Sequence, residues 1–154
     1  MANLFPEVVM EEWTEAGKTV TEDSGMDVSF GRSWRFDYTV GEFILTPTGK
    51  VAMADGQEAW VEWCRKVMQT DRYRYLIYSR SYGHDLELLI GKRQGQQMLE
   101  SDIERMVTEA LSVDPRTAAV GPFAFDWGED HCSFTCKITS TRNEEETLEG
   151  RVST

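Results

Sequence analysis

Three groups of residues in this chain have types and spacings that could support catalysis. His131 and Cys132 are adjacent and together supply the base and thiol of a cysteine nucleophile. His84 stands next to Asp85, and Asp85 with Glu87 could form the carboxylate pair that glycoside hydrolases use. Each of these groups is short of what its chemistry requires.

The sequence favours a structural interpretation of all three groups, and for Asp85 and Glu87 it gives no reason to prefer catalysis over a solvated turn. Neighbouring residues of a strand point to opposite faces, so His131 and Cys132 are poorly placed to share a proton. His84 falls in a predicted turn, where we expect a surface or partner contact. Two isolated histidines without acids at ligand spacing do not predict a metal site, and no glycine-rich phosphate loop is present. We therefore predict no catalytic, cofactor or metal site; the alternative left open is a small cytosolic hydrolase using Cys132 or His84.

Composition argues against nucleic-acid-binding, membrane-spanning and secreted classes of protein. The chain has 154 residues and a net charge of −11, which argues against nucleic acid or an anionic membrane as a partner. No apolar run approaches the roughly 18 residues of a membrane span, and the N-terminus lacks the features of a signal peptide. The three cysteines, Cys64, Cys132 and Cys136, contain no Cys-x-x-Cys pair and predict reduced thiols, with Cys132 and Cys136 on one core-facing side of a strand.

The charge is concentrated at the N-terminus. Residues 1–27 hold seven acids and one base, for a net −6. We predict an acidic arm there, either solvated or ordered by a basic neighbour in an assembly.

Two amphipathic helices are predicted downstream. The first opens at Asp55, which can cap the free amide groups while Glu58 reaches back, and it stops near Thr70. Its apolar stripe has helical spacing and consists of Trp60, Trp63, Cys64, Val67 and Met68. The second spans about 94 to 113 and ends before Pro115, because the residue preceding a proline avoids helical geometry.

The remaining segments predict strands and turns. Residues 42–45 and 51–53 form a predicted hairpin across a Pro-containing turn that ends in Gly49. Residues 73–78 predict a short strand, 81–84 a turn and 85–90 a short helix. Apolar alternation in the C-terminal third predicts a three-stranded antiparallel meander. The fold class is therefore α+β, with a small antiparallel sheet packed against two amphipathic helices, in one domain over residues 28–154.

Asp114-Pro115-Arg116 stands between the second helix and the meander. Proline restricts the backbone there, and the planar guanidinium offers donors suited to carboxylates or carbonyls. Two interpretations stay open, a helix stop followed by a solvated arginine, or an arginine that locks a loop or an interface.

The order of several motifs resembles the XkdS-like baseplate proteins of phage-like elements, some of which are called lysozyme-like and which are similar to the sheath initiators of contractile tails. The resemblance covers roughly residues 30–142. Its motifs are Trp34-Arg35-Phe36-Asp37, the turn at Gly49, Thr70-Asp71-Arg72-Tyr73, Ile77-Tyr78, Tyr82-Gly83 and Asp114-Pro115-Arg116. The family carries Glu-Pro-Arg where this chain has Asp114-Pro115-Arg116, so its acid is one methylene shorter.

The resemblance implies a structural role without enzymatic activity, in the baseplate of a phage tail or tail-like particle assembled in the bacterial host cytoplasm. Implied partners are baseplate wedge proteins and the tail sheath protein, with tail tube or hub proteins as a further possibility. Asp114, Pro115 and Arg116 are then expected to bind the wedge, and Arg116→Ala to leave the monomer folded but block its incorporation. The strands expected to pair with sheath strands are those holding Phe134, Cys136, Ile138, Leu148 and Val152. The acidic loop 143–146 would discourage self-pairing until a basic sheath strand arrives.

Overall fold

The computed structural model describes residues 28–92 and 94–153, and the predicted acidic arm at 1–27 lies outside them. In chain order the elements are β1 (Arg32–Trp34), β2 (Phe36–Asp37), β3 (Glu42–Phe43), β4 (Met53–Asp55), α1 (Gln57–Met68), a 3₁₀ helix (Leu86–Leu89), α2 (Gln96–Leu111), β5 (Thr117–Trp127), β6 (His131–Ser140) and β7 (Glu145–Ser153).

The C-terminal meander is the main sheet, and its strand order is β5-β6-β7 with both pairs antiparallel. Alternate residues of β6 and β7 are buried, as the period-two pattern predicts. The helices α1 and α2 cover the buried face. The predicted α+β class, with this sheet packed against two amphipathic helices, is confirmed.

The core lies between the sheet and the helices. Trp60 and Val67 of α1, Ile103 of α2 and Ile138 of β6 have no exposed surface, and Phe134 is only 2% exposed. The indole of Trp60 also donates a 3.0 Å hydrogen bond to the Thr117 hydroxyl at the start of β5. The apolar stripes predicted for both helices therefore form the contact surface of the domain.

The N-terminal strands pair in a way that the sequence shows only in part. A bridge joins Leu45 to Val51 around the predicted turn, so the hairpin exists. However, β3 pairs with β2, and β4 pairs with β1. The local turn is visible in the sequence, whereas pairing with the preceding segment depends on tertiary contacts.

The predicted cap of α1 is wrong. Asp55 belongs to β4 and pairs with Arg32 at 3.0 Å, while Gly56 occupies the N-cap position without a side-chain hydrogen bond. Glu58 pairs with Arg35 instead of reaching back to the helix start. Ion pairs with two arginines of the N-terminal segment thus use both acids that were predicted to cap the helix.

The predicted strand at residues 73–78 is also wrong, since the segment consists of turns and bends. Its tip is open to solvent, with Leu76 103% and Ile77 88% exposed. The base of the loop is held by a bridge between Asp71 and His84 and by stacking of Tyr78 on Tyr82 at 4.4 Å. The short helix predicted at 85–90 is present as the 3₁₀ helix.

Candidate strand-docking site

His84 lies in the core of the loop base, which corrects the prediction of a surface or partner contact. The residue is 8% exposed, its Nε2 lies 3.1 Å from the carbonyl of Met68, and its Nδ1 accepts the amide of Leu86 at 3.2 Å. Both nitrogens are used in holding two backbone segments together.

The three cysteines are buried, free thiols on the core side of their elements. Burial raises the pKa of Cys136 to about 11. Burial together with the charges of Glu100 and Asp126 raises the pKa of Cys132. A nucleophilic cysteine needs a lowered pKa and access to substrate, so the geometry gives the hydrolase alternative no support. Among the described residues, no group of three or more histidine, cysteine or acidic side chains is placed to hold a metal ion.

The Asp114-Pro115-Arg116 corner is built around an internal ion pair. The Arg116 Nη2 lies 2.6 Å from Asp114 Oδ2, and its Nε lies 2.9 Å from Oδ1. Its Nη1 donates to the carbonyl of Phe30 at 2.7 Å, which ties the corner to the segment preceding β1. Asp114 is 7% exposed and the Arg116 side chain 14%. Of the two open interpretations, the geometry is that of an arginine that locks a loop.

This arrangement changes two expectations about the corner. Arg116 contributes to the stability of the fold, so Arg116→Ala, which was expected to leave the monomer folded, is now also expected to destabilise it. Pro115 is exposed, and Val113 beside it is 44% exposed. The apolar surface at this corner therefore comes from Val113 and Pro115, with the ion pair behind it.

The sheet has β6 as its central strand and β5 and β7 as its edges, so only residues of the two edge strands can pair with an added strand. β6 is bonded to β5 on one side and to β7 on the other, so the prediction for Phe134, Cys136 and Ile138 is wrong because their strand has no free edge. The edge strand β5 is irregular, because its register with β6 shifts twice and its Pro122 has no backbone amide hydrogen to donate. β7 pairs with β6 over nine consecutive residues without a shift and carries Leu148 and Val152. It is the regular edge.

The register shows which groups of β7 point outward. The Ser140 amide donates to the Glu144 carbonyl at 2.8 Å, and hydrogen-bonded pairs alternate along an antiparallel ladder. Leu148 and Val152 thus fall in pairs that bond to β6, while the residues between them direct their amides and carbonyls to the outer edge. Those outward residues are Thr147, Glu149 and Arg151, with Glu145 and Ser153 at the ends.

The outer edge of β7 opens onto a groove whose opposite wall is formed by β2, the residues following it, and α1. A cavity of about 520 Å³ lies between residues 147–149 of β7 and a wall that includes Phe36, Tyr38 and Met68. A cavity of about 440 Å³ extends the groove toward Glu146, and one of about 300 Å³ lies beside residues 150–151. The groove therefore follows β7 over most of its length.

The groove is predominantly acidic. Its largest cavity is lined by Asp37, Glu62 and Glu149 against one base, Arg65. Burial and the charge of Glu62 raise the pKa of Tyr38 in the same wall to about 12. Sequence reasoning missed Asp37, Tyr38 and Glu62 because nothing in the local pattern shows that β2 and α1 lie opposite β7. Glu62 lies outside the apolar stripe predicted for α1, so helical periodicity gave no signal of its burial.

The fold is a small α+β domain whose sheet, in the described part of the chain, has a regular and open edge at β7. The sequence matches the family described as contractile injection system sheath initiator over residues 32–145, and the chain belongs to that family. It is 33% identical over 134 residues to the phage-like element PBSX protein XkdS of Bacillus subtilis (strain 168), covering 85% of each chain.

A solved structure supports the fold. The chain resembles a chain in the cryo-EM structure of the anti-feeding prophage (AFP) baseplate, 6-fold symmetrised, with a TM-score of 0.51 and 16% sequence identity. The match covers 78% of this chain and 84% of that one. Among the described residues, no helix is long and apolar enough to cross a membrane.

Proposed function

We propose that this chain is a non-enzymatic baseplate component of a phage tail or tail-like particle, assembled in the host cytoplasm, that templates the sheath by accepting an extended strand on β7. Membership of the sheath initiator family supports the assembly role. The single observation that carries the docking site is the shift-free outer edge of β7 facing a groove. Open edges present unpaired amides and carbonyls, and an added strand satisfies them.

Proline substitution on β7 tests the site. Glu149→Pro removes one outward amide and leaves the β6–β7 hydrogen bonds in place, because the Glu149 amide points away from β6. We expect Glu149→Pro to abolish co-purification of the sheath subunit from the same particle. Glu149→Ala is the matched control, since it removes the carboxylate and keeps the amide.

The two variants separate backbone pairing from side-chain contact. Strand docking predicts that Glu149→Ala retains most of the binding while Glu149→Pro does not. Circular dichroism and thermal unfolding of both variants establish that the fold is kept. Sheath binding by a folded Glu149→Pro protein at the wild-type level would rule out docking on this edge.

We further propose that the wedge proteins contact the corner at residues 113–116. Val113 and Pro115 provide the exposed apolar surface, and Asp114 with Arg116 fixes its backbone. Replacing Pro115 by serine should then weaken co-purification of the wedge with little loss of stability. Unchanged wedge binding by Val113→Ser/Pro115→Ser would place the wedge contact elsewhere, with the tube or hub proteins as other partners for this corner.

A further inference from the structure

Glu62 is a buried carboxylate on the groove wall, and one of its two oxygens has no partner in the described part of the chain. The residue is 9% exposed, and its Oε2 has no hydrogen-bond partner in the described part of the chain. Its Oε1 lies 3.5 Å from Arg65 Nη1, beyond the roughly 2.7–2.9 Å of a charge-assisted hydrogen bond. Folded proteins rarely bury a carboxylate so poorly paired, because the lost hydration is not replaced.

Neighbouring side chains leave this charge largely uncompensated. The Arg65 side chain is 44% exposed and is shared with Glu146, whose Oε1 lies 3.6 Å from Nη2. The hydroxyl of Tyr38 donates to the backbone carbonyl of Glu62 at 3.2 Å. The Glu62 carboxylate therefore keeps hydrogen-bonding capacity that its neighbours do not use.

The position of Glu62 connects it to the proposed strand. Glu62 lines both the 520 Å³ and the 440 Å³ cavities, and Leu148 of β7 lines the larger one. A strand bonded to Thr147 and Glu149 directs every second side chain toward the core side of the sheet, where α1 lies. The core-facing residue beside Leu148 is thereby directed toward Glu62.

We infer that the strand that docks on β7 belongs to a partner protein and carries a lysine or arginine beside Leu148, which pairs with Glu62. This inference rests on the proposed docking function and specifies the chemistry of the partner. The three acids and one base lining the cavity favour a cationic occupant. They disfavour the chain's own segment 1–27, whose net charge is −6.

An intramolecular donor strand tests the inference with a known register. For this test the full chain is extended at its C-terminus. An Asn-Gly turn replaces Thr154 and directly follows Ser153. An added eight-residue strand of alternating threonine and valine then folds back along β7. A two-residue turn fixes the pairing, which identifies the position opposite Leu148. That position is lysine in one version and methionine in the other, and each version is also made with Glu62→Gln.

Two measurements are taken on the four proteins. Hydrogen exchange at the amides of Thr147 and Glu149 reports whether the added strand docks. Urea unfolding reports the coupling between the variable position and Glu62. We expect protected amides in all four proteins. We also expect the change from methionine to lysine to lower the unfolding equilibrium constant about tenfold more when Glu62 is present than in the Glu62→Gln background.

The outcomes separate the inference from the function on which it rests. Protected amides without lysine–Glu62 coupling would overturn the cationic partner and leave strand docking standing. Unprotected amides at Thr147 and Glu149 in all four proteins would overturn docking on β7, and the cation inference with it. Protection together with coupling supports both.

Discussion

The Arg116 corner makes a quantitative prediction about stability. Arg116→Ala would leave the 7%-exposed Asp114 carboxylate without its cation and the Phe30 carbonyl without its 2.7 Å donor. Removing one partner of a buried ion pair costs about 3–5 kcal/mol, mostly because the remaining charge stays buried and unpaired. For a chain of this length, that loss corresponds to a fall in melting temperature of roughly 6–20 °C.

Urea unfolding monitored by tryptophan fluorescence measures this loss, and two further variants identify its cause. Arg105 is a matched surface arginine, with a side chain 60% exposed and a contact of 3.5 Å to Asp102. We expect Arg105→Ala to change the free energy of unfolding by less than about 1 kcal/mol. The double variant Asp114→Asn/Arg116→Met should recover part of the loss, because no orphaned charge remains. A loss under about 1 kcal/mol for Arg116→Ala would refute this account of the corner.

Four other predictions follow from the same structure. The three buried cysteines should react with iodoacetamide only on unfolding, as mass spectrometry can show, whereas the hydrolase alternative requires a reactive native thiol. Gly83→Ala should cost about 2 kcal/mol or more in urea unfolding, since φ is +93° and the new Cβ would lie 2.6 Å from the Thr70 carbonyl. Leu76→Ser/Ile77→Ser should leave the melting temperature nearly unchanged in thermal scans, because both side chains are exposed. In the folded protein the pKa of Tyr38 is about 12, above its ordinary value of 10.0. The neutral Tyr38 side chain therefore contributes stability below pH 10, and this contribution is lost as the pH rises toward 12. Tyr38→Phe should reduce the loss of stability over that range, as measured by urea unfolding at alkaline pH.

Regular periodicity allowed most of the fold to be predicted from the sequence. Period-two alternation located β5, β6 and β7, and the 3.6-residue stripe located α1 and α2, since both patterns arise from burial on one face. The 73–78 segment failed because its residues favour strands but are not buried. Leu76 and Ile77 lie at the tip of a loop, and sequence pattern alone cannot distinguish an exposed apolar turn from a buried strand.

The candidate site was harder to predict because it depends on contacts distant in sequence. Arg116 was singled out, but its contact with the Phe30 carbonyl joins positions 86 apart. The meander was predicted, but the assignment of β6 as a docking strand required knowing which strand lies in the middle. The position of Glu62 in the groove follows only from the packing of α1 opposite β7. Local patterns predict elements, whereas edges and grooves arise from their assembly.

The charges on the outer edge of β7 disfavour two registers in which this edge could pair with the same edge of a second copy of the chain. Two β7 edges related by a two-fold axis through Thr147 would place Glu145 of each copy opposite Glu149 of the other, and an axis through Glu149 would oppose two copies of that residue. Like charges directly opposite each other destabilise a strand pair. The same acids attract a cationic strand. Self-pairing in these two registers is therefore disfavoured, and the acids favour a strand of opposite charge, as the proposed docking role requires.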